Sequence, residues 1–121
     1  CISPYGGSND NNTPIEYKSC SSTSTDWYFD GFNIVYTSGS KCLDLDGGSG
    51  DDGTKIEFQD CNSSKVQQMW FHDGITNQIR LLKKAEQCIG KISGYLKVYS
   101  CDEEKRTDIN WDIGGATGSD V

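Results

Sequence analysis

The chain writes one pattern twice, 41 residues apart, and then a third time in shortened form. Cys1, Gly6, Gly7, Ser8, Asp10, Thr13, Ile15, Glu16, Cys20 and Ser22 recur as Cys42, Gly47, Gly48, Ser49, Asp51, Thr54, Ile56, Glu57, Cys61 and Ser63. Ile2 and Tyr17 return as Leu43 and Phe58, and Trp27 with Asp30-Gly31 returns, two residues late, as Trp70 with Asp73-Gly74. The third copy keeps Cys88-Ile89-Gly90, the run Leu96 to Cys101, and Trp111. A fixed period of this size marks one supersecondary unit that cannot bury its apolar face alone and packs it against its own copies. A length of 121 residues leaves room for a single domain, with repeats at about 1–41, 42–87 and 88–121.

Inside each unit the apolar residues alternate over short runs: Ile15 and Tyr17, Ile34 and Tyr36, Ile56 and Phe58, Ile79 and Leu81, Leu96 and Val98. That is strand periodicity. Gly, Asn, Asp and Ser clusters break the runs, with Asp-Gly at 30–31, 52–53 and 73–74, a pairing that favours hairpin turns. Regular short strands with turns between them predict an all-β barrel or sandwich. Six cysteines in so short a chain point to disulfides and an oxidising, extracellular compartment. Six cysteines allow fifteen pairings. Each repeat carries two, so the repeats favour Cys1 with Cys20, Cys42 with Cys61 and Cys88 with Cys101.

Composition excludes several function classes. A net charge of −7 repels nucleic-acid backbones and anionic membrane surfaces. No apolar run approaches the length of a membrane span. One histidine, His72, and no short Cys-x2-Cys spacing argue against zinc, so no metal or other cofactor is expected. Neither a Gly-x-Ser-x-Gly elbow nor a cysteine–histidine pairing provides a nucleophile, so no catalytic residues are expected. Asn11-Asn12-Thr13 and Asn62-Ser63-Ser64 are glycosylation sequons, which makes Asn11 and Asn62 candidate acceptors, although Pro14 weakens the first. A chain beginning at Cys1 has the look of a mature, secreted end.

The Cys-Leu-Asp-Leu start at Cys42, the middle Thr54-x-Ile56-x-Phe58-x-x-Cys61 and the end Gln68-Met69-Trp70 together resemble the ricin-B-type β-trefoil lectins, whose signature is a Gln-x-Trp triplet repeated three times. The first copy has Thr25-Asp26-Trp27 and the third Ile109-Asn110-Trp111, so the tryptophan survives three times and the glutamine once. The resemblance implies a β-trefoil, with disulfides inside each repeat and Trp27, Trp70 and Trp111 in the core. A trefoil unit needs a fourth strand after its tryptophan: Phe32 to Tyr36 in copy one, Gln78 to Leu82 in copy two. After Trp111 only a Gly-, Ala- and Ser-rich tail follows. The expectation is therefore a barrel that closes thinly between its termini, or one completed by a neighbouring chain or protein partner at that seam.

The resemblance also implies sugar binding, of galactose or N-acetylgalactosamine type. A shallow sugar site needs a carboxylate or amide to bridge hydroxyls and a flat apolar face for the ring. In the second copy the polar clamp falls on Asp44, expected at the surface, with Gln67 and Gln68. Gln59 stands where the aromatic platform belongs, Glu57 lies on its side of the strand, and Phe58 points to the core. The third copy has the platform, Tyr99, but Gly90 replaces the aspartate and Ile109 the glutamine, leaving Asp108 as a polar candidate. The first copy offers only Ser3 and Lys18. The principal site is expected in the second repeat, with glycans as partners and a secondary site at Tyr99 and Asp108. The acidic loop with Asp46, Asp51 and Asp52 departs from the EF-hand pattern at Gly48, Ser49 and Lys55 and reads as a turn with its carboxylates in water. The other reading is a trefoil that has lost its sugar and serves as a secreted interaction subunit, inhibitor or toxin-targeting module, since trefoils host all of these functions.

Overall fold

The structure, a computed structural model, describes residues 2–8, 10–17, 27–36, 40–102 and 111. Among the described residues ten strands follow one another: β1 (Ile2–Pro4), β2 (Ile15–Tyr17), β3 (Trp27–Asp30), β4 (Asn33–Tyr36), β5 (Lys41–Leu45), β6 (Ile56–Asp60), β7 (Trp70–Asp73), β8 (Gln78–Leu81), β9 (Lys84–Ile92) and β10 (Tyr95–Ser100). Short 3-10 turns lie at Tyr5–Gly7, Asp46–Gly48 and Val66–Gln68. Among the described residues no helix is long and apolar enough to cross a membrane.

The strands repeat one plan. The first two strands of each unit pair antiparallel, as β1 with β2, β5 with β6 and β9 with β10. The third and fourth pair as β3 with β4 and β7 with β8. The fourth then hands over to the next unit, β4 to β5 and β8 to β9. This is a β-trefoil. In the third unit, strands three and four would fall among residues 103–121, of which Trp111 alone is described, so the expected terminal seam lies outside the described residues.

Closure around the pseudo-threefold axis is visible in three backbone hydrogen bonds. The amide of Tyr17 donates to Gly94 at 2.8 Å, that of Phe58 to Thr13 at 2.9 Å and that of Val98 to Thr54 at 2.9 Å. Tyr17, Phe58 and Val98 are equivalent positions, as are Thr13, Thr54 and Gly94. Each unit therefore donates to its predecessor, and the cycle closes from the first unit to the third.

The tryptophans obey the same symmetry. Each indole N–H donates to the carbonyl just after its own unit's first cysteine: Trp27 to Ile2 at 2.8 Å, Trp70 to Leu43 at 3.1 Å and Trp111 to Ile89 at 3.0 Å. Burying an indole N–H without a partner costs about 1–3 kcal/mol, so these bonds are what lets so large a side chain sit inside. All three tryptophans belong to one core with Ile15, Ile56, Phe58, Leu96 and Val98, drawn from every unit. The Trp27 ring packs 5.2 Å from Phe58 and 4.9 Å from Tyr36.

The shared loop motif has a structural cause. Thr13 Oγ1 donates to the Asp10 carbonyl at 2.7 Å, and Thr54 Oγ1 to the Asp51 carbonyl at 2.6 Å. The Ser8 and Ser49 hydroxyls accept from the amides of Asp10 and Asp51. Ser-x-Asp-x-x-Thr therefore folds the long connection between the first two strands. Of the Asp-Gly pairs, 30–31 and 73–74 do sit in hairpins, whereas Asp52-Gly53 lies in the 46–55 connection and docks it elsewhere. Asp52 Oδ1 accepts from Gln87 Nε2 at 2.9 Å and the Ser100 amide at 3.1 Å, so Asp52 is not left to water as expected. The β9–β10 hairpin turns instead on Ser93-Gly94, both at positive φ, which the twist of a two-residue turn requires. Disulfides join Cys42 to Cys61 and Cys88 to Cys101; Cys1 and Cys20 lie outside the described residues.

Candidate functional site

Asp44 and Glu57 are direct cross-strand partners on β5 and β6. Residues opposite one another share a face of the sheet, so the two carboxylates open on the same side. Two residues along β6, Gln59 joins that face. The turn Asp46–Gly48 follows β5 directly and folds over the end of the strand; Gly47, at φ 74°, makes that reversal possible. Lys65 and Gln67 arrive from the segment before Trp70. Together with Asn12 from the first repeat they enclose an open, polar depression of about 240 Å³.

The structure corrects two expectations. Asp44 is not a surface residue: it is 2% exposed and forms the floor of the depression. Gln68 is 0% exposed and presents nothing to a ligand. Its Nε2 donates to Asp44 Oδ2 and to the Asp60 carbonyl, both at 2.9 Å, and its Oε1 accepts from the Asn62 amide at 2.9 Å. A glutamine so fully bonded is a strut. It fixes the carboxylate above it, and its burial follows from its place two residues before Trp70, whose ring is itself fully buried. Gln67, the adjacent residue, points the other way and lines the depression.

Charge in the site is uneven. Burial pushes the Asp44 carboxyl above its ordinary value, opposed by the Gln68 hydrogen bond and by Lys65, whose Nζ lies 3.8 Å from Oδ2. Burial also raises Glu57, and Asp46 and Asp44 add to the rise, while Gln59 and Lys55 oppose it. Gln59 Nε2 donates to Asn12 Oδ1 at 2.6 Å and to Glu57 Oε1 at 3.2 Å. No aromatic ring lines this depression. It can offer carboxylates and amides to hydroxyls or amines, and nothing to stack on.

Asn12 and Lys65 were missed as site residues. Asn12 sits 47 residues from Gln59, too far for any local pattern. A signal did exist in the repeat: Asn12 aligns with Gly53, both stand at positive φ, and Gly53 approaches Tyr99, the residue equivalent to Gln59. The loops of the first and second units thus reach the platform position of the next unit.

The other copies differ at the same register. Ser3 faces Glu16 in the first, and Gly90 faces Lys97 in the third. Tyr99 is half-buried on β10, while Asp108 and Lys18 lie outside the described residues. The sequon residues Asn11 and Asn62 are both exposed. Among the described residues no group of three or more His, Cys, Asp or Glu side chains is placed to hold a metal. A second depression, apolar and more enclosed, is lined by Pro14, Lys55, Ile56, Tyr95, Leu96 and Lys97, where the three units meet.

The comparisons with known proteins agree with this architecture. No curated protein matches the chain. Seven chains of solved structures do. One of them, the solution structure of the mdaA-1 domain, superposes with a TM-score of 0.76 at 18% identity, covering 92% of this chain and 80% of that one. At that identity the likeness is one of fold. The family model for the ricin-type β-trefoil lectin domain matches residues 1–107, most of the sequence. This chain therefore belongs to the ricin-type β-trefoil lectin domain family.

Proposed function

We propose that the chain is a secreted carbohydrate-binding module that acts by retention rather than catalysis, through one principal site around Asp44, on sugars of galactose type. Membership in a lectin family supports carbohydrate binding in general. The observation that carries the site is the Asp44 carboxylate, locked by Gln68 at the floor of a polar depression and flanked by Glu57, Gln59 and Gln67. A fixed carboxylate bridges neighbouring hydroxyls through charge-assisted hydrogen bonds, each worth about 1.5–3 kcal/mol. The disulfides among the described residues and the exposed Asn11 and Asn62, candidate glycan acceptors, support secretion. The galactose preference rests on likeness to the family.

The test is a glycan array with the oxidised protein and its Asp44→Asn variant, which keeps the shape of the side chain and removes its charge. The wild type should retain galactose-type glycans, and the variant should lose about tenfold or more in affinity while its near-ultraviolet circular dichroism is unchanged. Equal retention by the variant would remove Asp44 from the site. The absence of a ring at the Gln59 position favours one second reading, a trefoil scaffold that contacts a protein instead. A folded wild type that retains no glycan would support it.

A further inference from the structure

We infer that the depression around Asp44 selects a sugar bearing a free, protonated amine, a hexosamine such as galactosamine, over its neutral and N-acetylated counterparts. The inference rests on the reading that this depression is the glycan site and assigns its specificity. The strand register carries it. Asp44 and Glu57 stand directly opposite one another on β5 and β6. Like charges in that relation destabilise a sheet. Asp46 joins them from the adjoining turn, and these three carboxylates share one depression in which Lys65 is the one cation among the described lining residues.

Neither of the other repeats repeats this pairing. Ser3 faces Glu16, and Gly90 faces Lys97. The doubled carboxylate therefore belongs to the second unit alone. Its partner residue on the same strand face, Gln59, is an amide already bonded to Asn12 and Glu57, so the apolar face of a neutral sugar finds no ring to lie on. Binding must come from hydrogen bonds, and those between an ammonium and a carboxylate are the strongest this lining can make. An ammonium also places a positive charge among Asp44, Asp46 and Glu57, whose described cationic neighbours are Lys65, already 3.8 Å from Asp44, and Lys55, which acts on Glu57 from outside the depression. N-acetylation of the same nitrogen removes that charge and adds bulk.

Calorimetric titration of the full, oxidised chain with galactosamine, N-acetylgalactosamine and galactose tests this. The pH should lie above the carboxylate range and below the amine's own pKa. Galactosamine should bind about tenfold more tightly than either of the others, and added salt should shrink that ratio, because the extra attraction is between charges. In Glu57→Gln the ratio of galactosamine to N-acetylgalactosamine affinity should fall toward one, whatever happens to each affinity separately. Equal or tighter binding of galactose or N-acetylgalactosamine to the wild type would overturn the amine preference and leave the glycan site standing. Failure of all three sugars to bind a folded wild type would overturn the glycan site and this inference with it.

Discussion

The Asp44 carboxylate has one oxygen already occupied, because Gln68 Nε2 holds Oδ2 at 2.9 Å and the side-chain carbonyl of Gln68 is itself tied to the Asn62 amide. Such a group has little freedom left to lose on binding, which is how a buried hydrogen bond serves an open site. Burial raises the carboxyls of both Asp44 and Glu57, so the folded chain takes up protons there at a higher pH than the unfolded chain, whose ordinary values are 3.8 and 4.5. These two groups therefore add stability as pH falls from neutral, an addition complete below the ordinary values and lost again as pH rises through the raised ones. Asp73 works in the opposite sense. The amides of Ile75 and Thr76 hold it low, and its stabilisation is lost as pH falls below 3.8 toward its lowered value. Melting followed by circular dichroism should thus show Tm rising as pH falls from neutral toward the ordinary values of these two carboxyls, and falling once pH drops below 3.8. In Glu57→Gln the rise should shrink, since Asp44, Asp46, Lys55 and Lys65 remain around a neutral side chain. A variant with the full wild-type rise would contradict this account of Glu57. At this scale the residues could tell that Asp44, Glu57, Gln59 and Gln67 come together, but not how deep Asp44 lies or that Gln68 turns inward. Asp44 lies at an alternating position whose outward face the Asp46–Gly48 turn and Lys65 then cover, and no local pattern records that cover.

At the scale of elements, the alternating pairs placed the strands well: Ile15 and Tyr17 fall in β2, Ile34 and Tyr36 in β4, Ile56 and Phe58 in β6, Ile79 and Leu81 in β8, and Leu96 and Val98 in β10. The nine residues of β9 were only partly legible. Its first residues, Lys84 to Glu86, are largely exposed beside an irregular pairing with β8 and carry no apolar alternation. The connection from 46 to 55 needs tertiary contacts to hold its shape. Gly50 is buried there at φ 75°, and a Cβ on it would meet Leu81 Cδ2 at 3.0 Å. Gly50→Ala should cost about 1–3 kcal/mol through backbone strain and overpacking together. Gly74→Ala, with ordinary φ and open space around it, should stay within about 0.5 kcal/mol. Urea titrations of the two variants check the contrast, and similar midpoints would contradict the packing of this loop on β8.

Across the whole molecule, what the repeats share is scaffold and what they do not share is chemistry. The cyclic hydrogen bonds from Tyr17, Phe58 and Val98, the three indole bonds and, in the first two units, the Ser-x-Asp-x-x-Thr loops recur because the units must solve the same packing problem. The register positions held by Ser3, Asp44 and Gly90 on one strand, and by Glu16, Glu57 and Lys97 on the other, lie outside the shared apolar core and are free to diverge. Periodicity in the sequence therefore led to the fold, while the site had to be sought where the period fails. Its contribution from Asn12 crosses between units and needed the fold first. The central claim is that one unit, the second, holds the glycan site. Amide chemical-shift mapping of the isotope-labelled protein during titration with galactosamine tests it most directly. The account predicts perturbations concentrated at Asn12, Asp44 to Gly48, Glu57 to Gln59 and Lys65 to Gln67. Saturable perturbations centred on Tyr99 in the third unit, or on Tyr95 and Leu96 at the axis, would contradict it.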